Sequence, residues 1–131
     1  PAAPSLLATP TMWHLSTEIG GRLHDANANA LEIALALHPT PAVGGLPRAE
    51  ALAWIAAREG GDRGWYAGPV GWFDGHGDGE FAVAIRSALL AGDRARIYAG
   101  AGVVADSNAE AELAETELKQ RAMLSALGYC A

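Results

Sequence analysis

Tyr98-Ala-Gly-Ala-Gly-Val-Val-Ala-Asp-Ser-Asn-Ala-Glu-Ala-Glu-Leu-Ala-Glu-Thr-Glu-Leu-Lys119 reads as a glycine-lined strand that passes into a charged helix. Ser107 or Asn108 is placed to N-cap that helix, and Glu110 follows Ser107 at capping-box spacing. No Gly or Pro then interrupts the helix before Gly128. At about 100° per residue, Glu112, Glu115, Thr116, Lys119, Met123, Ala126 and Leu127 share one face, and Glu110, Glu117 and Arg121 lie on another. Charges on the face that carries Met123 and Leu127 call for pairing, hydrogen bonds or a metal. Spacing alone fits equally well an ordinary surface ion pair between Glu115 and Lys119 at i,i+4.

Outward from this stretch, 131 residues suffice for one domain with a core, and 50% of them are apolar. No apolar run approaches the ~18 to 20 residues of a membrane span, and the opening Pro-Ala-Ala-Pro has no signal-peptide character. The expectation is a soluble, intracellular, cytoplasmic protein. Cys130 is the single cysteine and has no internal partner for a disulfide. A net charge of −6, with eight arginines and one lysine, argues against nucleic-acid binding, which needs clustered basic residues. That lysine is Lys119.

Three prolines among residues 1–10 suggest an irregular lead-in. Residues 11–23 alternate as a strand that includes His14 and ends at Gly20-Gly21. Asp25 or Asn27 opens a helix through Leu37, which a Pro- and Gly-rich loop over residues 38–45 terminates. Pro47 suits the first turn of a further helix ending at Gly60-Gly61. Residues 64–73, 80–90 and 95–104 then form an antiparallel meander, with Arg86 above alanines on one strand and Gly100 on the next. An arginine over small residues is suited to bidentate capture of a carboxylate, provided the last helix crosses that floor. The turn over residues 74–79 reads as a solvated hairpin rather than a calcium loop.

Gly100-Ala-Gly-Val-Val-Ala105 also matches a dinucleotide fingerprint, but the glycines precede strand residues instead of opening the helix, and no second parallel strand follows.

Six ordered motifs carry a resemblance to a known family. They are Trp13-His-Leu-Ser-Thr17, Leu37-His-Pro-Thr-Pro-Ala-Val-Gly-Gly45, Arg63-Gly-Trp-Tyr-Ala-Gly68, Ala84-Ile-Arg-Ser87, Tyr98-Ala-Gly-Ala-Gly102 and Ala111-Glu-Leu-Ala-Glu-Thr-Glu-Leu-Lys119. The chain resembles the C-terminal portion of the chorismate-utilising enzymes, isochorismate synthases above all. The resemblance implies an α/β fold of the α+β type, an antiparallel sheet flanked by helices that is part of a larger two-layer architecture. It implies that Arg86 and Lys119 contact substrate carboxylates and that Gly100 lends backbone to the same task. Glu115 would ligate Mg2+ with Glu112 beside it, and His14 and Tyr66 would line the pocket. Ala42 stands where pyruvate-releasing relatives typically carry threonine.

The implied reaction moves the hydroxyl of chorismate from C4 to C2 without loss of pyruvate, towards siderophore, salicylate or menaquinone precursors. A lyase of the anthranilate or salicylate type is the enzymatic alternative. Full family members are several-fold longer, and their general acid and general base lie upstream of anything matched here. The chain is therefore expected to be inactive alone and to need the upstream remainder of the enzyme. An inactive ligand-binding or structural remnant of the fold is the alternative from another class.

Overall fold

The structure, a computed structural model, describes residues 3–8 and 13–129. Its elements run β1 (Ser5–Ala8), β2 (Trp13–Ser16), α1 (Ala30–Leu37), α2 (Pro41–Gly44), α3 (Arg48–Arg58), β3 (Pro69–Phe73), β4 (Gly79–Val83), β5 (Ser87–Ala91), β6 (Arg94–Tyr98) and α4 (Ala109–Ala126). The expected class holds: antiparallel strands with helices against them. Strands pair two by two as β1-β2, β3-β4 and β5-β6 among the described residues, not as one meander. Helix α1 packs on the β3-β4 hairpin, α2 on α3, and α4 on β6.

Several expected boundaries move, each for a local reason. The lead-in contains strand β1, because four proline-free residues between Pro4 and Pro10 pair with β2 in the register Leu6 to Leu15 and Leu7 to His14. Strand β2 spans only Trp13–Ser16, and residues 17–23 are irregular. Thr11, Met12 and Cys130 lie outside the described residues. Helix α1 starts later than Asp25 or Asn27. Asp25 instead accepts the Asn27 N–H at 2.9 Å, a turn that competes with helix, and Asn29 caps the helix through a reciprocal box with Glu32. The loop after Leu37 holds the short helix α2, begun by Pro41, and Pro47 is the N-cap of α3.

The long strand expected over residues 80–90 breaks at Ala84-Ile-Arg86. Ala84 exchanges backbone hydrogen bonds with Ala67 and Gly68, leaving the β3-β4 ladder, and Arg86 takes a left-handed φ of 51°. Left-handed backbone is costly for a branched or long side chain, so this corner reverses the chain and re-aims the arginine. Strand β6 ends at Tyr98, and the glycines after it form an irregular connection. Asn108 caps α4 by accepting the Ala111 N–H at 3.0 Å, while Ser107 is used elsewhere.

Among the described residues Ala67 is the buried apolar side chain, and many large ones stand exposed, among them Trp13, Leu15, Leu46, Trp65 and Val103. The accessible surface of 10556 Å² far exceeds the about 6500 Å² of a compact monomer of 13.5 kDa. The exposed apolar side chains fall on the hairpins and connections and also on the helices, as at Leu35, Trp54 and Leu113. No described helix is long and apolar enough to cross a membrane.

Candidate functional site

The site is built where α4 crosses the connection after β6. The face expected from helical spacing is the one turned inward: Glu112, Thr116, Lys119, Met123 and Leu127 are half-buried, whereas Glu110, Glu117 and Arg121 are exposed. Glu115 and Ala126 lie at the open margin of that face. Lys119 is 15% exposed and its partner Glu115 53%. The Lys119 Nζ donates to Glu115 Oε1 at 2.7 Å and to the Gly100 carbonyl at 3.0 Å. An ammonium has three protons, so one remains for a ligand. The hydrogen bond from Lys119 holds the Glu115 carboxyl below its ordinary range, and the Arg86 guanidinium contributes to the same effect.

Gly100 is needed for space. A Cβ there would stand 2.7 Å from the Tyr66 hydroxyl. The Tyr66 ring stacks on Tyr98 with centroids 5.2 Å apart and an interplanar angle of 17°. Burial raises the Tyr66 phenol above its ordinary value, and the nearby Arg63 guanidinium partly offsets this.

Arg86 approaches from the corner after β4 and reaches His14 on β2, with Nη1 3.4 Å from Nε2. A guanidinium only donates, so Nε2 accepts and that tautomer carries its proton on Nδ1. Two segments 72 positions apart thus meet at one cation. Glu112, one turn before Glu115, accepts from the Ser107 hydroxyl at 2.6 Å, and the same oxygen of Ser107 accepts the Val104 N–H at 3.0 Å. Spacing suggested Ser107 as a helix cap; its position five residues before a carboxylate gave no sign of this second use.

His14, Tyr66, Arg86, Gly100, Glu115 and Lys119 are therefore linked across β2, the turn before β3, the Arg86 corner, the post-β6 connection and α4, with Glu112 one turn away on the same face of α4. Ala42 is not in this cluster; it is exposed on α2. Its neighbour Val43 is tied in by Arg63, which donates from Nη1 to the Val43 carbonyl at 2.9 Å. Arg63 went unnoticed as an individual residue in the sequence, since Gly60-Gly61 ends the helix between it and Glu59 and hides their i,i+4 pairing. A cavity of about 210 Å³ lined by His38, Val43, Leu52, Arg63, Tyr66 and Gly68 lies on the α2-α3 side of Tyr66. Arg86, Gly100, Glu115 and Lys119 do not line it, so the cation-rich cluster is the candidate site.

The sequence matches a family described as chorismate binding enzyme over residues 1–128. It is 54% identical over 128 residues to the isochorismate synthase DhbC of Bacillus subtilis, covering 98% of this chain and 32% of that protein. It is 53% identical over 127 residues to the salicylate biosynthesis isochorismate synthase of Pseudomonas aeruginosa, covering 97% of this chain and 26% of that one. A solved structure from Bacillus anthracis, assigned as a 2,3-dihydroxybenzoate-specific isochorismate synthase, superposes with a TM-score of 0.95 at 51% identity. The superposition covers 99% of this chain and 35% of that chain. The chain thus spans about a third or less of the length of these relatives. With the match running through nearly every residue, the chain belongs to the chorismate binding enzyme family.

Proposed function

We propose that this chain is the carboxylate-binding third of a cytoplasmic isochorismate synthase, which converts chorismate to isochorismate for siderophore, salicylate or menaquinone precursors. The observation that carries the reading is that Arg86, braced on His14, and Lys119, anchored on the Gly100 carbonyl, both act on Glu115, with the Tyr66 hydroxyl against Gly100. Chorismate carries two carboxylates, and two cations with unspent donors complement them. Arg86 presents a planar fork and Lys119 one free proton, each forming a charge-assisted hydrogen bond of about 1.5–3 kcal/mol.

Glu112 and Glu115 suit magnesium in chemistry, since both offer hard anionic oxygens from successive turns of α4. They fit as part of a shared site only: no group of three or more potential ligands converges among the described residues. Ser107 occupies one oxygen of Glu112, and Lys119 one of Glu115. When bound, magnesium would supply positive charge between these carboxylates and a substrate carboxylate. The residues of this chain bind and orient; moving a hydroxyl from C4 to C2 further needs an acid and a base within about 3 Å of the transferred protons. We assign that pair to the remainder of the enzyme, which would also cover the exposed apolar side chains.

The test is a chimera in which this chain replaces the matching third of the Bacillus subtilis relative, assayed for isochorismate with chorismate and magnesium. The chimera is expected to turn over, and the 131-residue chain alone is not. A cooperatively folded chimera without isochorismate formation, or one that releases pyruvate instead, would refute the assignment. Turnover by the chain alone would refute the division of labour.

A further inference from the structure

Arg63 lies outside the cation cluster yet is the most extensively engaged side chain near it. Its Nε and Nη2 donate to both oxygens of Glu59 at 2.6 and 2.5 Å, and its Nη1 reaches the Val43 carbonyl at 2.9 Å. Its guanidinium carbon is 5.5 Å from the centroid of the Tyr66 ring. One planar group therefore joins the end of α3, helix α2 and the aromatic wall. Tyr66 in turn stacks on Tyr98 and brings its hydroxyl against Gly100, whose carbonyl holds Lys119. Neighbouring groups thus run from Glu59 through Arg63, Tyr66 and Gly100 to Lys119.

We propose that Arg63 is a positioning residue for this pocket: it fixes the Tyr66 ring, and through it the approach of the ring to Gly100 and of α2 to the same wall. The inference rests on the reading of the cluster as a chorismate site. The hydrogen bonds of Arg63 go to Glu59 and Val43, not to any residue of the cation cluster. A planar fork fixed at three points is pre-organised as a lysine cannot be, since an ammonium cannot form the bidentate pair and the Val43 bond in one plane. Displacement of the wall by a fraction of an ångström would be felt at Gly100, where the Tyr66 hydroxyl leaves no room for a Cβ.

The chimera tests this in two ways. Without substrate, [13Cζ]-tyrosine NMR, with Tyr66 identified by Tyr66→Phe, follows titration of the phenol. Arg63→Gln removes the charge that lowers this group and leaves Glu59 unopposed, so the midpoint should move up; Glu59→Gln should move it down. With substrate, Arg63→Gln should raise the KM for chorismate about tenfold with little change in kcat, since a misplaced wall weakens binding ahead of chemistry. In a Tyr66→Ala background the same change should cost less than about threefold, because the ring through which Arg63 acts is gone. If Arg63→Gln does not fold, Glu59→Gln carries both readouts: a downward shift and a smaller rise in KM. A fall in melting temperature with both the Tyr66 midpoint and KM unmoved overturns the proposal. An inactive chimera that still shows the opposite midpoint shifts overturns the reading of the pocket and leaves the Arg63 clamp standing.

Discussion

Replacing Gly100 by alanine should damage the site through a single atom. The added Cβ would lie 2.7 Å from the Tyr66 hydroxyl, where ordinary contacts begin at 3.4 Å. The gap of about 0.7 Å must open somewhere. The Tyr66 ring is held by the Tyr98 stack and by Arg63, and the Gly100 carbonyl is held by Lys119, so neither side retreats freely. Overpacking of this kind costs about 1–3 kcal/mol, and a half-buried ring places it towards the lower part, about 1–2 kcal/mol. At about 1.4 kcal/mol per tenfold, kcat/KM for chorismate should fall about 5- to 30-fold. The control is built into the geometry, because the next atom of the ring, Cζ, would be 4.0 Å from the new methyl, an ordinary contact. Tyr66→Phe removes the clashing oxygen alone. The double variant should therefore return to within about threefold of Tyr66→Phe, a strongly non-additive pair. The assay is isochorismate formation by the chimera, with thermal melts to show that all variants are folded. If the two substitutions simply add, the Gly100 to Tyr66 contact is not what makes glycine necessary.

Three further outcomes follow from the same geometry. On the proposed reading of Glu115 as a magnesium ligand, Glu115→Gln should weaken magnesium binding by about tenfold or more, the scale found even for residues that only support ligands, and extra magnesium should restore part of the activity. Glu117→Gln, exposed on the opposite face, should leave the magnesium titration unchanged; equal damage would show the helix face to be wrong. Arg86→Lys keeps the charge but loses the fork and the His14 contact, so chorismate affinity should fall by about 1.5–3 kcal/mol with magnesium affinity little altered, measured by separate titrations. Ala67→Val should lower stability by about 2–3 kcal/mol in denaturant melts, because a β-branched residue is forced to a φ of 65° at a buried position; Ala67→Gly, relieved of strain but short of a methyl, should stay within about 1 kcal/mol of the parent.

Helix α4 shows how far sequence reading reaches. Its cap region, its length and its inward face followed from spacing, because a regular helix converts sequence separation into angle without help from the rest of the chain. The choice of cap did not follow. Ser107 and Asn108 are both good caps, and the decision turned on a carboxylate, Glu112, that took the serine hydroxyl. The strand over residues 80–90 failed for a related reason. Its composition is continuous, and the break at Arg86 arises from hydrogen bonds between Ala84 and the Ala67-Gly68 turn, which no local pattern announces. In the lead-in, prolines at both ends of Ser5–Ala8 drew attention away from four residues that a partner strand could order.

Sequence by itself determined the family and the α+β class, and it named the residues proposed to hold a dicarboxylate, since these reside in residue types and short fixed spacings. Tertiary structure alone decided that His14 meets Arg86 across 72 positions, that Ala42 stands apart from the cluster, and that Arg63 braces the Tyr66 wall. Contacts between distant segments depend on how elements stack and where a chain turns its corners, and two left-handed residues, Ala67 and Arg86, set those corners here. Their φ values follow from the hydrogen bonds around them, so no reading of alanine or arginine in isolation would assign them.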